Sequence, residues 1–152
     1  MSKQLLLTIS LVAVLAGCQS FTATLGPPNE EPFVSTNEPG YLGQQYFARG
    51  NYALAEQNFR TAVERTPAEA SAWMGLAASY DQLGRFELAD RAYDQATKLS
   101  GTTYDILNNR GFSYLLRGDA SRAAALLQRA RALRPQDPVV SNNLTLLSQA
   151  RT

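Results

Sequence analysis

The sequence predicts an all-α fold made of three helical hairpins of equal length and one closing helix. Three observations carry this. The chain repeats itself with a period of 34 residues. Each half of the repeat has apolar residues three or four apart, the spacing of one helical face. A glycine separates the two halves. Residues 70–103 show every part: Trp73, Leu76, Ala77 and Tyr80 mark one face, Gly84 interrupts, and Phe86, Ala89, Tyr93 and Ala96 mark a second. One period back, Leu42, Gly43, Tyr46, Gly50, Tyr52, Ala55, Phe59, Ala62 and Pro67 match; one period forward, Leu107, Gly111, Tyr114, Gly118, Ala123, Leu127, Ala130 and Pro135 match.

This pattern resembles the tetratricopeptide repeat, a 34-residue helical hairpin with W-x2-L-G-x2-Y in its first helix and A-x3-F-x2-A, then Pro, in its second. The resemblance implies a right-handed superhelix in which first helices line a concave groove and second helices form the convex side. The repeats are expected at about 36–69, 70–103 and 104–137, with a capping helix at 138–150, making one domain of residues 38–150. The third copy departs from the pattern at Arg110, in place of Leu, and at Ala120, in place of an aromatic residue.

The start, MSKQLLLTISLVAVLAGC, has one basic residue, an apolar run from Leu5 to Ala16 and small residues before the single Cys. Such a run is too short to span a bilayer and has the length of a secretory h-region. Leu15-Ala16-Gly17-Cys18 resembles the lipobox of bacterial lipoproteins. That resemblance implies a signal peptide at 1–17, diacylation of the Cys18 sulfur and acylation of the new N-terminus. Three acyl chains make a firm anchor, at about 0.8 kcal/mol per buried CH2. Gln19, where an Asp is the usual inner-membrane retention signal, implies the periplasmic face of the outer membrane. Residues 18–37 read as the lipidated Cys and a tether, because Gly26, Pro27, Pro28 and Pro32 interrupt any apolar period. Its root-mean-square reach is roughly 25 Å.

Taking the repeats in order, Pro39 and Gly40 stand where the second copy has Trp73 and Met74, so the first helix is expected to start near Gly40 or Tyr41. The second is expected over 52–64. Thr66-Pro67-Ala68-Glu69 reads as a capping box with Pro at the first helical position. Gly101 reads as a helix C-cap, and Thr102 with Asp105 as the next capping signal. The Ala-rich stretch DASRAAALLQRARALR favours a helix strongly. Asp137 and Pro138 open the last helix, whose Val140, Leu144 and Leu147 form a stripe that closes the stack. Recurrent alanines (Ala55, Ala62, Ala89, Ala96, Ala123 and Ala130) are small where helices cross, and Tyr46, Tyr80, Phe59 and Tyr93 fill the spaces between.

Composition excludes several functions. The chain has no His, and its one Cys belongs to the lipobox, so imidazole catalysis, thiol chemistry and the commonest metal sites are absent. No catalytic residue, metal site or cofactor is expected, and Asp90 with Asp94 reads as a charged helix face. Without Lys3, which leaves with the signal peptide, 13 Lys and Arg face 13 Asp and Glu, which argues against nucleic acid.

Two candidate surfaces remain. The groove face of the first helices carries Gln44 and Phe47, then Ser71, Met74, Ala78 and Asp81, then Asp105, Asn108, Asn109 and Phe112, then Asn142. Paired amides beside Phe and Met suit an extended peptide or helix of a protein partner. Repeat domains that clamp a C-terminal carboxylate use Lys and Arg here, whereas this chain has Gly40, Asp105 and Asn109. The second surface is a convex basic patch of Arg122, Arg129, Arg131 and Arg134, suited to an acidic partner or anionic lipid headgroups.

The lipobox, tether, repeats and cap, with ILNNRGFSYLLRGD at 106–119, are similar to the small tetratricopeptide lipoproteins of the Tad (Flp) pilus assembly system. That resemblance implies a non-enzymatic scaffold partnering a pilus or secretin component. An adaptor for periplasmic hydrolases or proteases would use the same groove.

Overall fold

The computed structural model describes residues 38–150; the leader, Cys18 and the tether lie outside the described residues. The described residues form seven helices: α1 (Pro39–Ala48), α2 (Tyr52–Arg65), α3 (Ala70–Gln82), α4 (Phe86–Ser100), α5 (Tyr104–Leu116), α6 (Ala120–Leu133) and α7 (Pro138–Gln149). They are three antiparallel hairpins and a closing helix, stacked as a superhelix. None is long and apolar enough to cross a membrane.

Glycine closes each hairpin. Gly50, Gly84 and Gly118 sit at φ of 76°, 70° and 75°, the left-handed region that disfavours a Cβ. Gly101, at φ 74°, ends α4 as the sequence predicts. Asp119 accepts from the Arg122 amide at 2.9 Å and Asp137 from the Val139 amide at 2.8 Å, capping α6 and α7.

Three predicted starts need correction. α1 begins at Pro39 itself, because proline's missing N–H has no partner to lose in a first turn. Residues 66–69 are a turn, and α3 starts at Ala70. The Glu69 amide donates to the Thr66 carbonyl at 3.1 Å, while the Pro67 carbonyl accepts the Trp73 indole N–H at 2.8 Å. The cap of α5 is Thr103, accepting from the Ile106 amide at 3.3 Å, one residue after the predicted Thr102.

The core follows the repeat. Ala55, Ala89, Ala96, Ala123 and Ala130 have no exposed surface, and Phe59, Leu76 and Tyr93 are at most 3% exposed. Tyr46, Phe47 and Trp73 pack against the cluster that contains Phe59, Leu76 and Tyr93. In α7, Val140 and Leu147 face inward, and the other side is polar and exposed. Ser141, Thr145 and Ser148 occupy the register positions of Leu107, Gly111 and Tyr114, where a next helix would dock. Their hydroxyls donate to the carbonyls of Asp137, Ser141 and Thr145 at 2.9, 3.0 and 2.7 Å.

Candidate functional site

The first helices, α1, α3, α5 and α7, lie side by side because each hairpin repeats the last with the same geometry. Toward α1 a depression of about 430 Å³, lined by Gln44 and Ser71 with Glu38, Arg65 and Glu69, adjoins two others that run across the helices' shared face. One, of about 320 Å³, is lined by Gln44, Phe47, Ser71, Met74, Ala78 and Asn109. The other, of about 260 Å³, is lined by Phe47, Ala78, Asp81, Asn108, Asn109 and Phe112, with Gln82, Tyr93, Val139 and Asn143. Phe47, Ala78 and Asn109 belong to both, so they form one groove.

The structure redistributes the roles of the groove residues. Asp81 and Asn108 are each 5% exposed and are floor, not surface. The Asn108 oxygen accepts from Asn143 Nδ2 at 2.9 Å, and its own Nδ2 donates to Asn109 Oδ1 at 3.3 Å. The pair of amides therefore does not present itself as a unit. Of the two, Asn109 keeps an Nδ2 with no hydrogen bond among the described residues. Asp105 and Asn142 are exposed and line neither depression; Asp105 instead lies 3.8 Å from Arg134. Asn143, which sequence reasoning passed over, closes the floor in place of Asn142.

All four convex arginines are exposed, and two of them are engaged with neighbours. Arg122 pairs with Asp119 and lies 4.6 Å from the centre of the Tyr114 ring. Its backbone N–H first, and then its guanidinium, hold Asp119 below the usual carboxylate range. Arg134 lies 4.2 Å from the centre of the Tyr104 ring. Arg129 and Arg131 are exposed and have no ion pair among the described residues.

Beneath the groove is a polar network that joins the second and third hairpins. Asp81 accepts from Ser113 Oγ at 2.6 Å and from the Tyr93 hydroxyl at 3.0 Å. Arg117 donates to both Asp90 oxygens at 2.8 and 3.1 Å and to Ser113 Oγ at 2.7 Å. Its guanidinium also sits 4.9 Å from the Phe86 ring centre and 4.6 Å from that of Tyr114. Arg110 reaches Asp94 at 2.9 Å. Asp90 and Asp94 are thus ion-pair partners across the α4–α5 junction, on a charged face that stays partly solvated, with the Asp94 side chain 54% exposed. Arg110 departs from the repeat pattern because it makes this joint. Burial raises the Asp81 carboxyl above 3.8, against the pull of Ser113, Tyr93 and Arg117; burial, then Asp81, pushes the Tyr93 hydroxyl well above 10.0. Among the described residues no group of three or more His, Cys, Asp or Glu could hold a metal ion.

Comparison with known proteins agrees with this architecture. The chain is similar in structure to the tetratricopeptide domain of Arabidopsis OM64, at 19% identity and TM-score 0.65 over 73% of this chain and 92% of that one. It is similar to the second such domain of human RPAP3, in complex with the HSP70 peptide SGPTIEEVD, at 21% identity and TM-score 0.63 over 76% and 93%. It is also similar to Pseudomonas aeruginosa PilF, at 30% identity and TM-score 0.63 over 73% of this chain and 51% of that one. No curated protein sequence matches it. Residues 42–96 and 77–138 match the tetratricopeptide repeat family, the same stretches that form the hairpins and their shared groove, and the chain therefore belongs to that family.

Proposed function

We propose that this protein is a lipid-anchored scaffold on the periplasmic face of the outer membrane, whose groove holds a segment of a partner in assembly of a Tad-type pilus or secretion apparatus. The observation that carries the binding role is the continuous groove, where the free Asn109 amide stands among Phe47, Met74 and Phe112. An amide that can donate to a peptide backbone, beside apolar walls that receive side chains, is chemistry for a protein segment. The RPAP3 domain, with the same fold, holds a peptide. Support for the setting comes from Leu15-Ala16-Gly17-Cys18 and from the 106–119 stretch.

The test is photo-crosslinking in cells, with a benzophenone side chain at Met74 or at Arg131. Adducts with one protein partner are expected from Met74 and not from Arg131; adducts from Arg131 alone would overturn the groove assignment. Cys18→Ser is expected to leave the protein unprocessed or soluble in the periplasm, with the Met74 adduct lost. A Cys18→Ser protein of mature length that still sediments with the outer membrane would overturn the anchor.

A further inference from the structure

The repeat register continues past α5. Thirty-four residues after Asp105 and Phe112 stand Val139 and Leu146, so α7 carries aliphatic side chains where α5 has an exposed acid and a groove-lining Phe. Both stand in solvent, 53% and 47% exposed, and Val139 walls the 260 Å³ depression together with Phe112. The sequence PVVSNNLTLLSQ contains no charge. Ser141, Thr145 and Ser148 lie on the opposite face of α7 from Val139 and Leu146. Exposure alone does not set these two aliphatics apart, since Leu54, Leu99, Leu116 and Leu133, which line neither depression, are 42%, 44%, 41% and 57% exposed; Val139 is set apart by walling the groove.

Charge narrows the ligand further. Neither of these two depressions has a Lys or Arg in its lining, and the one adjoining them at α1 sets a single Arg65 against Glu38 and Glu69. The only carboxylate of the two, Asp81, is buried and hydrogen-bonded to Tyr93 and Ser113. An acidic peptide would lose water from its carboxylates against phenylalanine and valine and gain no cation in return.

We infer that the groove extends across α7 and takes an uncharged segment rich in aliphatic or aromatic residues from a protein partner. Phe112, Val139 and Leu146 receive its side chains, and the Asn109 amide donates to a backbone carbonyl. Helices packed about 9 Å apart give four of them a span of roughly 27 Å, the length of about eight extended residues. This inference rests on the proposed role of the groove and adds its chemistry and its limit.

The test pans a phage library of random peptides against the full-length protein in nanodiscs. Selected peptides are expected to be rich in Leu, Ile, Val and Phe with no surplus of Asp and Glu, and SGPTIEEVD should not displace them. The double variant Val139→Glu, Leu146→Glu should weaken the best peptide about tenfold or more, with an unchanged helical circular dichroism spectrum because both sites are exposed. Phe112→Ala should weaken it as well. If only Phe112→Ala weakens binding, or if acidic peptides are selected, the groove stands and this inference falls. If no peptide is selected, or if neither variant has an effect, both fall.

Discussion

Gly75→Ala is expected to lower the stability of the domain by about 2 kcal/mol, roughly 10 °C in melting temperature. A Cβ on Gly75 would sit 2.3, 2.4 and 2.7 Å from atoms of the Phe59 ring. The ring cannot simply retreat, because on its other side the place of a Gly43 Cβ is only 2.9 Å away, and Phe59 is 3% exposed. Two glycines on two first helices hold one phenylalanine from the helix between them. Alanine's better helix propensity returns about 1 kcal/mol, which the steric term exceeds. Gly40→Ala is the control: its Cβ would meet only Ala62, at 3.9 Å, and should leave the melting temperature within a few degrees. In a double-mutant cycle, Phe59→Leu should remove most of the cost of Gly75→Ala. Additive losses would mean that the two residues do not touch.

The fold was legible because a 34-residue period states the hairpin, its turn and its core at once. Ala96, Phe59 and Tyr93 are all buried where their spacing puts them. Capping signals misled at Thr66, where the tryptophan indole takes the Pro67 carbonyl; nothing local in the sequence announces a contact formed only when α3 swings back over the turn. The site was legible in outline and misread in depth. A helical face tells which residues lie near a groove, but whether Asn108 stands in it or beneath it depends on how closely α7 approaches. The partner of that approach, Asn143, is 35 residues away. Val139 and Leu146 were within reach, since the same register that gave Asp105 and Phe112 gives them too.

The largest expected loss is at the joint between the second and third hairpins: Asp81→Ala should cost about 3 kcal/mol. It removes the acceptor for the hydroxyls of Tyr93 and Ser113, which are 1% and 0% exposed and have no water to turn to. It also takes a negative charge from 3.7 Å beside Arg117. Asp81→Asn keeps the volume and one acceptor oxygen, and the Tyr93 hydroxyl can accept from the new amide, so its cost should be nearer 1 kcal/mol. The two variants part further with pH. Burial raises the folded-state carboxyl above 3.8, so between 3.8 and the raised value the unfolded chain has already lost its proton while the folded one keeps it. Wild type therefore loses stability relative to Asp81→Asn as pH rises through that window, and the difference is constant on either side. Urea unfolding of both proteins from acid to neutral pH measures this directly. An advantage of wild type that grows with pH would mean that Arg117 outweighs burial and that the network is held by charge instead of by its hydroxyls.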